Sequence, residues 1–416
     1  MRVAWLVSAG EVLTGPAGGR IRDGAVLVVG NEIAAAGGRQ DMEALAPAGA
    51  LRAEFPEGCL LPGLIDSHVH LAFDGGPDPR AALQDVSDAD LALGMAGRAR
   101  ELLASGVTTV RDLGDLRRLT VALRQATADG RVPGPRILSA TTPLTSPGGH
   151  CGFLGGEVAS DAAIRELVQA NAAAGADVIK VMASGGHLTP SGPAMWESQF
   201  TAAQLGLITG EAHACGLPVA AHAHGTDAIT AAVNAGVDTI EHCTWLHGIG
   251  FEVPAATVSQ IIDKKISVCP AISRNWRDFG KRFGEHLAEE FLLRLRWLDE
   301  QGVRLAAGTD AGIPGASFTG YVDGLEAFLH AGMTPERIIE IATVDSAAAL
   351  RLAGTTGQIA AGFSADLLVV DGSPLDDLGA LRAVRMVFAQ GRPYGRFPEL
   401  TPDLTGAIGS LPVRGR

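Results

Sequence analysis

Leu61-Pro62-Gly63-Leu64-Ile65-Asp66-Ser67-His68-Val69-His70 is a short apolar run that stops on two histidines. Pro62 and Gly63 punctuate its entry, and its length suits a buried strand. Residues two apart on a strand share a face, so His68 and His70 point together. Two imidazoles side by side at a strand end suit a divalent metal. Taken alone, two satisfied histidines at the mouth of a core explain them equally well.

Working outward, the middle of the chain repeats this rhythm. Short apolar runs fall at 64–68, 107–111, 136–140, 178–182, 218–222, 238–242, 266–270 and 303–308. Stretches rich in Ala, Leu, Glu and Arg lie between them, among them 84–105, 161–174, 201–215, 225–235 and 285–301. Gly106, Gly175, Gly216, Gly236 and Gly302 each follow such a stretch, where a helix C-terminus favours glycine. Eight strand–helix units over about 270 residues predict an α/β fold, a (β/α)8 TIM barrel. The alternative is a doubly wound open sheet. No G-x-G-x-x-G follows an early strand, so no dinucleotide site is indicated.

Both ends are strand-like. Residues 24–29 and 32–36 flank Gly30-Asn31, a hairpin signal, and 365–371 and 384–389 are two more runs, closed by Gly391-Arg392-Pro393. The expected domains are a small β-sandwich from 1–59 plus 356–395, a barrel over 60–355, and a Gly/Pro-rich tail over 396–416.

Composition narrows the function. The chain has 416 residues, 47% hydrophobic and 19% charged, which suits a large folded enzyme. Its net charge of −13, with no basic run, argues against nucleic acid as a partner. Cys59, Cys151, Cys215, Cys243 and Cys269 are scattered without a C-x-x-C, which argues against a disulfide framework and a thiolate zinc site. The start, Met1 to Val7, is too short in apolar residues for a signal peptide and reads as a strand. No apolar run is long enough to span a membrane, and the expected compartment is cytoplasmic.

Barrel enzymes carry their chemistry at the C-terminal ends of strands. There the chain has His68 and His70, then Lys180, then His222 and His224, then Glu241-His242, then Asp310. Each has an ordinary explanation alone. Asp310 could cap a helix, and Lys180 could pair with Asp112 or Glu241. Together they converge on one rim. Lys180 is flanked by Ile179, Val181 and Met182, and burial favours its neutral amine. A neutral amine near cations can take up CO2, and the carbamate can bridge two divalent ions.

These motifs resemble the amidohydrolase superfamily over nearly the whole chain. They include Pro62-Gly63-Leu64-Ile65-Asp66-x-His68-x-His70, Gly106-Val107-Thr108-Thr109-Val110-Arg111-Asp112, the Lys180 strand, His222-Ala223-His224-Gly225, Ile240-Glu241-His242 and Gly308-Thr309-Asp310. Lys180 points to the binuclear, carboxylated-lysine type. The resemblance implies His68, His70 and Asp310 on a buried metal, His222 and His242 on a second, and carboxylated Lys180 bridging them. It implies two divalent ions, zinc first among them. Gly148-Gly149-His150, Ala183-Ser184-Gly185-Gly186 and Gln199-Phe200-Thr201 resemble the branch with Xaa-Pro and Xaa-Arg/Lys dipeptidases and, more distantly, imidazolonepropionase.

That branch implies hydrolysis of a non-ring amide, in a dipeptide or an N-acyl amino acid, by metal-activated hydroxide. Asp310 would move the proton, and His150 would steady the carbonyl oxygen. His224 stands where relatives often carry a carboxylate-binding tyrosine, which implies that it pairs with a carboxylate on the leaving amine. Arg274, Asn275 and Trp276, after Ser273, are expected to line the leaving-group pocket, with His187, Trp196 and Glu197 as further candidates. His213, His286 and His330 are expected on the surface or in structural roles, and His247 only near the site. The expected partner is a small-molecule amide, with no nucleic acid, no membrane, and pairing of copies open. Cyclic-amide hydrolysis, carbamate hydrolysis, deamination and a catalytically dead homologue are the rival readings.

Overall fold

The computed structural model describes residues 3–15, 19–248 and 250–395. The chain opens with β1 (Ala4–Leu13), antiparallel to β2 (Arg20–Val29), which turns at Gly30-Asn31 into β3 (Glu32–Gly38). Gly30 supplies the positive φ, 67°, that this tight turn requires. β4 (Leu51–Pro62) runs parallel to β1 and leads through Gly63 into β5 (Leu64–Val69).

β5 is the first stave of a ring. Next come β6 (Val107–Asp112), β7 (Arg136–Ser139), β8 (Ile179–Met182), β9 (Val219–Gly225) and β10 (Thr239–His247). A two-residue strand, β11 (Gly250–Phe251), folds back on the end of β10, and β12 (Ser267–Cys269) lies on the other side of β10 from β9. Regular parallel ladders join β5–β6–β7 and β8–β9–β10–β12. Isolated bridges complete the circuit: Leu144 to Val181, Val268 to Leu305, and Val69 to Ala311. Leu64, Ile65, Val107, Val110, Val181 and Val219 are all fully buried, as parallel strands covered on both faces must be.

The eighth stave departs from expectation. Residues 303–308 form no regular strand. Ser67 N donates to Ala307 O at 2.8 Å, and Asp310 N donates to His68 O at 2.8 Å. Asp66 fastens this segment, accepting from Thr309 N at 3.0 Å and Thr309 Oγ1 at 2.6 Å. Asp310 then takes a left-handed φ of 58° between its backbone bond to His68 and the bridge at Ala311.

The helices follow the reading closely. Asp161–Ala173, Ala202–Ala214, Thr226–Ala235 and Glu285–Glu300 match expected stretches. Thr201 and Gln204 form a reciprocal capping box. The stretch at 84–105 is helical only from Asp88 to Ala104, because the Ser87 side chain accepts from Asp90 N and starts the helix there, and a separate short helix, Pro79–Gln84, precedes it. All five glycines read as helix ends have positive φ, between 75° and 92°.

The far end of the chain supplies β13 (Leu367–Asp371), β14 (Val384–Ala389) and β15 (Arg392–Gly395). β13 pairs with β4, so both ends join in one seven-stranded sheet of order β15-β14-β13-β4-β1-β2-β3. It has its own apolar cluster, including Trp5, Val26, Ile33, Leu60, Val369 and Phe388. Hydrogen bonding makes this a single sheet, whereas a two-sheet sandwich was expected. The expected tail at 396–416, and Met1 and Arg2, lie outside the described residues. Among the described residues no helix is long and apolar enough to cross a membrane.

Gly308 is where the closing segment presses on the first stave. A Cβ there would lie 2.5 Å from Cys269 Sγ and 3.0 Å from His68 Cβ. Gly308→Ala is therefore expected to lower stability by about 1–3 kcal/mol, read as a lower denaturant midpoint at unchanged slope. A wild-type midpoint would show that the contact relaxes freely.

Candidate active site

The strand ends bring two groups of ligand-type side chains together. In the first, His68 Nε2 and His70 Nε2 lie 3.3 and 3.2 Å from Asp310 Oδ1. The role of His68 is set from behind. Glu241 Oε1 accepts from Arg111 Nη2 at 2.7 Å and from Thr239 Oγ1 at 2.6 Å. Arg111 also donates from Nε to Ser67 O at 2.8 Å. Burial opposes ionisation of Glu241, but Arg111 and His68 outweigh it and hold its carboxyl well below the usual range. An ionised Glu241 can only accept, so the 2.9 Å contact to His68 Nδ1 is a donated N–H. His68 Nε2 then carries a lone pair. Burial pulls the His68 pKa down to about 4, so no second proton sits there at neutral pH. A lone pair and a carboxylate oxygen face each other, and Asp310 Oδ1 has no hydrogen-bond partner among the described residues. A cation between them resolves that conflict.

The second group is His222, His224 and His242, whose ligand atoms all lie within 4.8 Å of one another. His222 meets His242 at 4.6 Å and 73°, whereas His224 stacks on His242 at 4.5 Å and 18°. β10 loses register with β9 after His242, and His242 and Cys243 adopt φ of 68° and 50°. This bulge aims His242 inward. An imidazole binds an ion in its ring plane. Stacked rings cannot both hold one ion, so His222 and His242 can share it while His224 buttresses His242. His222 Nε2 lies 3.1 Å from Gly185 O, leaving Nδ1 as its lone-pair atom.

Lys180 stands between the two groups. It is 1% exposed, and Nζ has no hydrogen-bond partner among the described residues. Its expected ordinary partners are committed elsewhere. Glu241 is held as above, and Asp112 accepts from Leu71 N at 2.6 Å and Gly114 N at 3.1 Å. Burial lowers the Lys180 pKa to about 8, with Glu241 and Asp310 partly opposing.

His150 lies on the other side of His222, with ring centroids 4.6 Å apart. Its backbone N donates to Gln199 Oε1 at 2.7 Å, and Gln199 Nε2 donates to Met182 O and Ser184 O at 2.7 and 2.8 Å. One side chain thus clamps the loop after β7 to the end of β8. Gly186 leaves the room His150 needs, since a Cβ there would lie 2.5 Å from its Nε2. Burial lowers the His150 pKa to about 3.

His68, His70, His150, Lys180, His222, His242 and Asp310 open on one cavity of about 1010 Å3. Of the residues expected to line it, Asn275 and His187 do, but Arg274, Trp276, Trp196 and Glu197 do not. The segment Arg274–Asp278 is a 3-10 turn, which separates its side chains. Asn275 donates to Pro314 O at 3.4 Å, while Trp276 turns away to donate from Nε1 to Asp323 O at 2.7 Å and packs on His330. His224 lines the cavity, with a different polarity from the one expected. Thr244 Oγ1 gives its hydrogen to His224 O at 3.1 Å, so it accepts from His224 Nδ1–H at 3.1 Å. His224 Nε2 is left with a lone pair and nothing to donate to a carboxylate. Burial, reinforced by His242, holds its pKa well below the usual value, which disfavours the imidazolium. His213 pairs with Asp238, His330 with Glu289 and His247 with Glu252, all outside the cavity lining. His286 is exposed.

Gln199, Thr244 and the Arg111–Glu241 pair have positioning roles that the sequence reading did not assign. An arginine inside the apolar run Val107–Asp112 was the available signal, since a buried guanidinium needs a buried acid.

The Amidohydrolase family pattern matches residues 59–394, from the end of β4 through the ring and back to β15. The chain belongs to the amidohydrolase family. It is a hydrolytic enzyme, and the family supports a metal-dependent attack on an amide bond. Its relatives include ochratoxinase of Aspergillus niger, 27% identical over 365 residues, covering 79% of this chain and 73% of that one. The crystal structure of that protein superposes with a TM-score of 0.82 at 25% identity, covering 95% and 96%. Imidazolonepropionase of Salinispora tropica is 28% identical over 399 residues, covering 88% and 91%. A crystal structure of an Xaa-Pro dipeptidase with methionine bound in its active site matches with a TM-score of 0.82, 25% identity, and coverage of 94% and 100%.

The buried chain Arg111–Glu241–His68 gives a test independent of substrate. Arg111→Met strands the Glu241 charge and should cost about 3–5 kcal/mol of stability. The folded-state pKa of Glu241 is depressed from its ordinary 4.5. Its contribution is therefore present above about pH 4.5 and lost as pH falls through the folded value. Glu241→Gln should flatten that acid limb in denaturant titrations at stepped pH. An unchanged limb would mean that Glu241 is not ionised in the fold.

Proposed function

We propose that this enzyme hydrolyses a small-molecule amide, first a dipeptide or N-acyl amino acid, with two divalent ions held by His68, His70, Asp310, His222, His242 and carboxylated Lys180. The observation that carries the reading is Lys180 Nζ, buried and unpartnered between two groups of lone-pair donors. A buried amine with no acceptor is costly. Carboxylation of the neutral amine by CO2 would form an N–C bond, release one proton, and leave an anion bearing two oxygens. That anion suits a site whose remaining ligands are imidazoles and one carboxylate. Zinc fits this nitrogen-rich set.

When bound, the ions would lower the pKa of water and polarise the substrate carbonyl. The chain's own groups do the rest. Burial opposes ionisation of Asp310, but His68, His70 and His242 outweigh it and hold its carboxyl well below the usual range, so Asp310 enters the reaction as a carboxylate. Asp310 takes a proton as water attacks the carbonyl carbon, then gives it to the leaving nitrogen, which cannot depart as an amide anion. His150, neutral at working pH, offers an N–H to the carbonyl oxygen as charge builds there. His224, with its hydrogen committed to Thr244, accepts from a substrate N–H or O–H. The same reading divides the chain into a terminal β-sheet domain (1–59 with 356–395) and a barrel (60–355), acting in the cytoplasm, with copies able to pair. The separate apolar cluster of the terminal sheet supports that division.

Lys180→Ala should bind one ion per chain where the wild type binds two, by elemental analysis, and lose at least about a hundredfold in turnover. Two retained ions would show that the bridge is another residue. Gln199→Leu frees the His150 loop, so kcat should fall about ten- to hundredfold with KM little changed. A rise in KM alone would assign Gln199 to substrate binding.

A further inference from the structure

The cavity above the strand ends is unevenly lined. Beyond the sixth and seventh strands its wall is apolar: Leu246, Phe251, Phe279, Leu287 and Phe291. Phe279 and Phe291 meet edge to face at 5.6 Å and 66°. Phe251 is braced from outside by Arg294, whose guanidinium lies 4.1 Å over the ring. Arg294 is committed to Thr244 O at 3.1 Å and to Glu290 at 2.8 Å, so its charge is not turned to the cavity. On the side of the first four strands the lining is mixed, with Arg80, Glu157, Thr189 and Ser191 among Phe153, Leu188 and Met195.

The two walls stand differently to the chemistry. His150, which faces the carbonyl oxygen, follows the third strand. Asp310, which protonates the leaving nitrogen, follows the eighth. In ring order the apolar wall lies beside Asp310 and across from His150. A scissile amide with its oxygen at His150 and its nitrogen at Asp310 sends its amine half toward Phe251, Phe279 and Phe291. A glycine- or alanine-sized amine would leave these rings in water inside a cavity of about 1010 Å3.

We infer that the preferred substrate carries a bulky apolar, ring-bearing group on the amine side of the amide, seated against Leu246, Phe251, Phe279, Leu287 and Phe291. This deepens the proposed amide hydrolysis and rests on it. The mixed wall then receives the acyl half and sets a weaker preference there. Burying one aromatic side chain of substrate corresponds to about a ten- to hundredfold gain in kcat/KM.

The test uses the metal-loaded full chain and two matched series. In one, N-acetyl and N-glycyl derivatives of glycine, leucine, phenylalanine and naphthylalanine vary the amine half. In the other, the amine is fixed as phenylalanine and the acyl group grows from acetyl to naphthoyl. The expected result is a rise of about ten- to hundredfold along the first series and a smaller change along the second. Phe251→Ala, and Phe291→Leu as a milder change in case the alanine variant fails to fold, should narrow the naphthylalanine-to-glycine ratio. Calorimetry gives a reading without turnover, in which naphthylalanine binds the enzyme more tightly than glycine and Phe251→Ala weakens it. Equal hydrolysis along the first series, or a steeper rise along the acyl series, overturns the inference and leaves the proposed hydrolase standing. Failure to cleave any member of either series overturns the hydrolase reading and the inference with it.

Discussion

Glu241 is the buried charge from which the centre hangs. It sits one residue before His242 on β10, accepts from Arg111 on β6, and fixes the tautomer of His68 on β5. Three strands are thereby pinned through one carboxylate. Remove its charge and His68 no longer has a reason to present a lone pair to Asp310. The barrel supplies rigid strand ends, and the Arg111–Glu241 pair converts that rigidity into a defined direction for a nitrogen lone pair. A carboxylate this deep needs a cation, and a guanidinium serves because its fork reaches Glu241 and Ser67 O together.

Around that anchor the site uses departures from regular strand. Asp310 enters through a left-handed residue, and His242 sits at the start of a bulge. Both come where a ladder breaks, which frees a side chain to leave its normal face. Neighbouring strands hold the chain on either side of each break.

Much of this was legible in the sequence. Alternation of apolar runs with helix-like stretches gave the staves, and glycine after each stretch gave five helix ends. His68, His70, Lys180, His222, His242, His150 and Asp310 were readable because chemistry-bearing residues stood at strand ends in a fixed order, and the structure brings them onto one cavity. What escaped depends on side-chain direction. A 3-10 turn decides that Asn275 faces the cavity and Trp276 does not, and adjacency in sequence says nothing of that. The polarity of His224 depends on Thr244, twenty residues on, whose hydroxyl has only one hydrogen to give. The eighth stave read as a strand by composition, but it meets its neighbours through isolated bridges at Leu305 and Ala311 and not through a ladder. The single terminal sheet could not be told from two by pattern alone, since inward-facing strands read alike in both.

The terminal sheet also sets an order of events during synthesis. β4 lies between β1 and β13, and β13 begins only at Leu367. Until that residue leaves the ribosome, β4 presents an open, apolar edge while the whole barrel is being made behind it. Open edges of this kind recruit other strands, and parallel barrels close slowly because their contacts are distant in sequence. The nascent chain therefore carries this unpaired edge for most of its translation. Fast elongation or high expression would expose that edge on many chains at once, and intermolecular pairing at β4 is the route by which this fold would be lost.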